Sequence, residues 1–220
     1  MTRQMNTVDL YYWPTPNGWK ISIMLEECGI PYNLHYVNIL MDEQFEPEFL
    51  KISPNNRIPA IIDPKGPGGQ PLSVFESGAI LLYLAQKSGK FYPADERARI
   101  KVNEWLFWQV GGLGPMAGQA HHFRFFAKEQ IPYAIERYTH EVERLYDVMN
   151  TQLEGRDWLA DEFSIADIAC VGWISAHERQ GQDIDEHPNL KNWLERMLAR
   201  PGVQRGLALG REKRPVKRSD

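Results

Sequence analysis

Trp13-Pro14-Thr15-Pro16-Asn17-Gly18-Trp19-Lys20 joins two different periodicities and decides how the chain around it folds. Before it, Val8–Tyr12 is apolar and aromatic, the composition of a short buried strand. After it, Ile21, Met24, Leu25 and Cys28 recur at helical spacing, and Gly29 supplies a stop. Pro16 suits a first helical turn, where its missing N–H costs no hydrogen bond. Thr15 then falls near the N-cap, with Asn17 and Gly18 in the first turn. A helix start carries unsatisfied N–H groups and partial positive charge. Hydroxyl and amide groups placed there suit a thiolate, a carboxylate or a phosphate. The same residues also fit an ordinary capped strand-to-helix turn.

Outward from this crossing, residues 8–86 alternate strand and helix signals. Tyr32–Val37 reads as a strand, and Asp42–Ile52 as a short polar segment with Phe45, Phe49 and Leu50 on its apolar face. Ile58–Ile62 and Leu72–Phe75 read as strands joined by a loop of Asp, Pro, Gly and Gln. Ser77–Gln86 reads as a helix, giving the order β-α-β-α-β-β-α: a small mixed α/β sheet with helices on it. Residues 87–95, with Gly89 and Pro93, form a linker, so the expected domains are 1–88 and 95–220. The second is expected to be all-helical, with helices over Ala98–Val110, Pro132–Leu153, Ile165–Arg179 and Asn189–Ala199. Gly111-Gly112-Leu113-Gly114-Pro115 is expected to kink or break the helical run. Ser164 and Asp167 stand at capping-box spacing, with Phe163 and Ile168 placed for a hydrophobic staple, a structural element rather than a chemical one. The charged tail Arg211–Asp220 is expected to be loosely ordered.

The 220 residues include 43% hydrophobic positions, enough for sizeable cores, and the net charge of −4 argues against a dominant nucleic-acid surface. Cys28 and Cys170, the two cysteines, sit in apolar helical patterns and read as buried free thiols of a reducing compartment. No run approaches the ~18 apolar residues of a membrane span, and the first residues lack the apolar core of a signal peptide. A soluble, cytoplasmic protein is the expectation.

Two further stretches carry chemistry. Ile58-Pro59 opens a strand; a cis bond there would leave the Ile58 N–H and C=O free to pair with a peptide-like ligand, while a trans bond would make it a plain strand start. Glu76-Ser77 lies at a strand-to-helix junction. Ser77 reads as the cap, suited to a carboxylate, and Glu76 could pair with an α-amino group; alone, the pair is an ordinary cap. A thiolate site, a backbone-pairing site and an amine-plus-carboxylate site at one edge of one sheet form the inventory that glutathione needs.

These features resemble the glutathione transferase superfamily, and within it the nu class of bacterial glutathione-dependent disulfide-bond oxidoreductases. The likeness rests on Pro14–Gly18, Gln44-Phe45, Ile52–Asn56, Phe75–Leu84, Trp105–Gln109 and Ile131–Tyr138, and spans about residues 8–205. It implies a homodimer with a thioredoxin-like N-terminal domain on a mixed four-stranded sheet and a helical C-terminal domain. It also implies that Thr15 and Asn17 line the sulfur site, Asn17 the more important, and that Gln44, Ile58, Glu76 and Ser77 hold glutathione. Gln109 and Arg137 match helical-domain positions near the ligand. One glutathione disulfide or two glutathiones per site, and no metal, follow from the same likeness. The implied activity is reduction of small disulfides by bound glutathione thiolate, with no catalytic protein cysteine. The alternatives are a transferase that conjugates glutathione to electrophiles or reduces organic peroxides, and a non-catalytic glutathione-binding module.

Four side-chain groups also admit simpler roles. Tyr11 and Tyr12 could donate a hydroxyl to the thiol, but at least one suits the core. His121-His122 look like a metal pair, yet neighbours on a helix point about 100° apart. Phe123, Phe125 and Phe126 read as the wall of an acceptor pocket or as core, and Trp105, Trp108 and Tyr138 as packing or dimer-face residues.

Overall fold

The computed structural model describes residues 6–214. Strand β1 (Val8–Tyr12) runs into helix α1 (Pro16–Cys28), followed by β2 (Tyr32–Tyr36), a 3-10 turn at Glu43–Phe45, the one-turn helix α2 (Pro47–Leu50), β3 (Ala60–Asp63), β4 (Leu72–Phe75) and α3 (Ser77–Ser88). The sheet order is β2-β1-β3-β4, with β1 parallel to β2 and β3 antiparallel to both β1 and β4. This is the mixed four-stranded, thioredoxin-like arrangement. Val8, Leu10 and Tyr12 alternate into the core along β1, as a half-buried strand requires. Helix α1 ends where Gly29 turns left-handed at φ 69°. The far end of β3 is anchored by buried Asp63, which accepts from Lys65 N–H at 2.9 Å and also meets the Tyr83 hydroxyl and the Lys87 ammonium. These donors hold its carboxyl below the usual range against the opposing effect of burial.

The chain divides into two compact units. The first runs to Lys90 and also takes in Pro201–Lys213; the second is Phe91–Arg200. Residues 201–213, expected with the helical domain, thus group with the sheet. The reason is helix α10 (Pro201–Ala208), which periodicity did not reveal. It packs on α1, and a Cβ added at Gly206 would stand 2.6 Å from the Ile23 backbone, so only glycine permits this approach. Ser22 Oγ donates to Gly206 C=O at 2.8 Å, and the Tyr12 hydroxyl donates to Leu209 C=O at 3.0 Å. Arg211–Lys213, expected to be loose, form a 3-10 turn with the Lys213 ammonium 4.7 Å from the Tyr36 ring centre; residues 215–220 of that expected tail lie outside the described residues.

The second unit is helical: α4 (Glu96–Trp108), α5 (Gly114–His121), α6 (Pro132–Gln152), α7 (Ile165–Ile174), the one-turn α8 (His177–Gln180) and α9 (Pro188–Leu198). Of the kink or break expected at Gly111–Pro115, a break does not occur. The chain passes from α4 into α5 through a π-helical turn, Gln109–Leu113, and a second π turn follows at His122–Phe126. A π turn absorbs the extra residue without ending the helix. The Ser164–Asp167 capping box is formed: Ala166 N–H donates to Ser164 Oγ at 3.3 Å, and Ser164 N–H to Asp167 Oδ2 at 3.0 Å. Asp167 also accepts from Leu159 N–H and from Trp193 Nε1, tying α7 to α9. Phe163 is edge-on to Phe91 and Trp158.

Candidate functional site

Thr15 adopts the extended conformation of an N-cap, and its Oγ1 accepts from Gly18 N–H at 3.2 Å. Trp19 N–H goes to Thr15 C=O at 2.9 Å. Pro16 has no N–H, so the start of α1 does not present a row of open backbone donors, contrary to the sequence expectation. What remains is side-chain chemistry. A hydroxyl has one donor and two acceptor positions. The cap uses an acceptor position of Thr15, so its proton stays available for an anion. Asn17 stands beside it, partly exposed at the second helical position. Gly18 is required here, because a Cβ would lie 2.2 Å from Trp13 C=O.

The Ile58-Pro59 bond is cis. The β1–β3 ladder stops at Tyr11 opposite Ala60, so Ile58 lies outside it, and among the described residues its N–H and C=O make no backbone hydrogen bond. Its side chain packs with Trp13, Val37, Phe49 and Ala60. Gln44 is buried, its Nε2 donating to Asp42 Oδ1 at 3.3 Å, while its Oε1 is buried with no partner among the described residues. A buried acceptor without a donor carries a desolvation cost that a ligand N–H would relieve.

At the β4–α3 junction the structure corrects one assignment. Glu76, at φ 69°, occupies the N-cap position of α3, and Ser77 is its first helical residue. Glu76 is exposed, and its Oε1 accepts from Asn55 Nδ2 at 3.3 Å. Ser77 is buried, and its Oγ accepts from Lys20 Nζ at 3.2 Å. Sequence reasoning gave Lys20 no task. The available signal was that Lys20 is the sole charge between Trp13 and Leu25.

Thr15, Asn17, Gln44, Ile58, Glu76 and Ser77 all belong to the first unit; Gln109 and Arg137 belong to the second. Gln109 is fully buried in the first π turn. Arg137 is exposed on α6 and lines an open groove of about 850 Å³ with Tyr133, His140 and Arg144. Tyr12 spends its hydroxyl on Leu209, and Tyr11 stacks on His35 at 4.8 Å, its own hydroxyl held protonated by burial and by Asp9. His121 packs against Phe125 and Phe126, and burial pushes its pKa down to about 4. Among the described residues no cluster of three His, Cys, Asp or Glu could hold a metal ion, and no helix is long and apolar enough to cross a membrane. Cys28 and Cys170 are buried free thiols, and burial raises the Cys28 pKa against a 3.4 Å contact with Ser88 Oγ.

Residues 15–87 match the glutathione S-transferase N-terminal domain, and residues 113–201 match the C-terminal domain of the same family. The chain therefore belongs to the glutathione S-transferase family. It is 55% identical over 202 residues to the disulfide-bond oxidoreductase YfcG of Escherichia coli, covering 91% of this chain and 94% of that one. Among solved structures, a Pseudomonas putida glutathione transferase with one glutathione disulfide bound per subunit superposes with TM-score 0.88 at 46% identity, over 93% of this chain and 92% of that one. A Pseudomonas fluorescens family member with two glutathiones bound gives TM-score 0.86 at 48% identity, over 91% and 92%.

Proposed function

We propose that this protein is a glutathione-dependent disulfide-bond reductase whose reactive sulfur is that of bound glutathione. The observation that carries the reading is the Thr15 cap. Its oxygen accepts from Gly18 N–H at 3.2 Å, which leaves the hydroxyl proton to donate to a thiolate beside Asn17. The identity to YfcG supports the reaction class, and the glutathione-bound relatives support the ligand.

A free thiol has a pKa near ~8.5, and moving it down about two units takes roughly 2.7 kcal/mol of preference for the anion. A hydrogen bond to a charged group supplies ~1.5–3 kcal/mol. Two such donors, Thr15 Oγ1–H and the Asn17 amide, suffice without open helix N–H groups. The glutathione thiolate attacks one sulfur of the substrate disulfide. A new sulfur–sulfur bond forms, the old one breaks, and the departing thiolate takes a proton from solvent. A second glutathione thiolate attacks the mixed disulfide, releasing the second substrate thiol and leaving glutathione disulfide. The chain holds the tripeptide through Ile58 backbone pairing, the Gln44 acceptor, and Glu76 and Ser77 at the γ-glutamyl end. Exposed Ile100 and Phe107 on α4 and exposed Leu40, Met41 and Phe45 support a homodimer, and two buried thiols support a cytoplasmic setting.

Side-by-side rates on hydroxyethyl disulfide and on a chlorodinitrobenzene electrophile test the assignment. A large excess of disulfide reduction is expected; a large excess of conjugation would assign the protein to the transferase activity instead.

A further inference from the structure

Lys20 is a cation in the body of α1, only 2% exposed, and its Nζ lies 3.2 Å from the Oγ of Ser77, itself 8% exposed. Helix α1 carries the sulfur-end residues, and α3, against which it packs, begins at Ser77. An ammonium has three donors and no acceptor. In this pair Ser77 Oγ must therefore be the acceptor, and its proton is turned away from Lys20. With one of its two acceptor positions filled by the cation, the Ser77 hydroxyl keeps its proton for whatever occupies the site.

The neighbouring residue completes the pattern. Glu76 is exposed and held by Asn55 Nδ2 at 3.3 Å. Consecutive residues thus present a carboxylate and a hydroxyl backed by an ammonium. An α-amino acid zwitterion, with its two charges on one carbon, is the complement. Resting on the glutathione reading above, we propose that Lys20 is a positioning residue. It holds the Ser77 hydroxyl as a donor to the α-carboxylate of the γ-glutamyl group, and it makes this subsite select a carboxylate over a neutral amide.

The test is calorimetric, on the full chain, with two ligands: glutathione, and glutathione whose γ-glutamyl α-carboxylate is converted to the primary amide. Wild type is expected to favour glutathione by about ten- to a hundredfold, and Lys20→Met to shrink that ratio to within about threefold. Lys20→Arg, which still only donates, restores most of it. Turnover at saturating glutathione should fall much less than the apparent affinity in Lys20→Met, a split that general loosening of α1 would not produce. A folded Lys20→Met protein with the wild-type ratio overturns the role of Lys20 alone. A wild type that binds both ligands equally overturns the carboxylate selection and leaves the glutathione reading standing, whereas a wild type that binds neither overturns the glutathione reading as well. Should Lys20→Met not fold, the NMR signal of the Lys20 Nζ group in the wild-type chain decides. It should move on addition of glutathione and stay in place with the amide, and equal movement with both ligands refutes the proposal.

Discussion

Thr15 and Asn17 are adjacent in the proposed sulfur site but differ in what they do for the fold, and that difference makes them separable. Thr15 Oγ1 caps α1 through Gly18 N–H at 3.2 Å, so Thr15→Ala should cost about 1 kcal/mol of stability. Asn17, partly exposed at the second helical position, is not the N-cap, and Asn17→Ala should cost less stability than Thr15→Ala. In catalysis both lose one donor to the thiolate. At ~1.5–3 kcal/mol per donor, the bound thiol pKa rises by about one to two units. A bound thiol near ~6.5, about two units below the free value, is roughly three-quarters ionised at pH 7. After the loss that fraction becomes about a quarter to a thirtieth, a fall in rate of roughly three- to twenty-five-fold. The fall should vanish at high pH, where both forms are ionised and a more basic thiolate is the better nucleophile. The assay is the ultraviolet absorbance of the bound thiolate against pH, paired with turnover of hydroxyethyl disulfide and urea unfolding. Asn17→Ala with an unshifted thiol pKa and wild-type turnover at pH 7 would refute the assignment.

Three further outcomes follow from the geometry. Cys28→Ser combined with Cys170→Ser should keep disulfide reductase activity, because both thiols are buried; loss of turnover in the folded double variant would implicate a protein thiol. Gly206→Ala should destabilise the protein by about 1–3 kcal/mol, since its Cβ would meet the Ile23 backbone at 2.6 Å, whereas Gly111→Ala, with open space around it, should not; equal urea midpoints would contradict this. Acid unfolding should report two groups of opposite sign, the half-buried His121 and the buried Asp167. His121, lowered from 6.5 to about 4, binds fewer protons folded than unfolded, so its contribution is lost as pH falls from about 6.5 through 4. Asp167, raised from 3.8 to about 6 by burial, binds more protons folded, so its contribution declines as pH rises through that window. His121→Phe should therefore flatten the acid loss of stability and Asp167→Asn steepen it; unchanged slopes in both variants would show that neither group couples to folding.

The parts of the fold written in local chemistry were readable before any coordinates. The Thr15–Pro16 start and Gly29 stop of α1, the Ser164–Asp167 box and the alternation along β1 are each set by residues within a few positions of one another. What escaped reading depended on distant partners. Helix α10 contains Gly202 and Gly206, which argue against a helix until α1 is seen pressing on it, with Glu27 against Gly202 and Ile23 against Gly206. The glycines of 111–114 look like a break, but a π turn carries the helix through them. In the candidate site, Thr15, Asn17, Ile58 and Glu76 were nameable from motif and resemblance. Lys20 was not, because a lysine on a helix is ordinarily solvated, and nothing local announces that Ser77, 57 positions away, will meet it.

Intact-mass measurement of the protein during turnover, quenched rapidly with acid while glutathione and hydroxyethyl disulfide are both saturating, tests the central claim most directly. The account predicts the unmodified polypeptide mass at every time point, with the mixed disulfide of glutathione and substrate found only as a small molecule. A kinetically competent adduct of glutathione or substrate on Cys28 or Cys170 would contradict it.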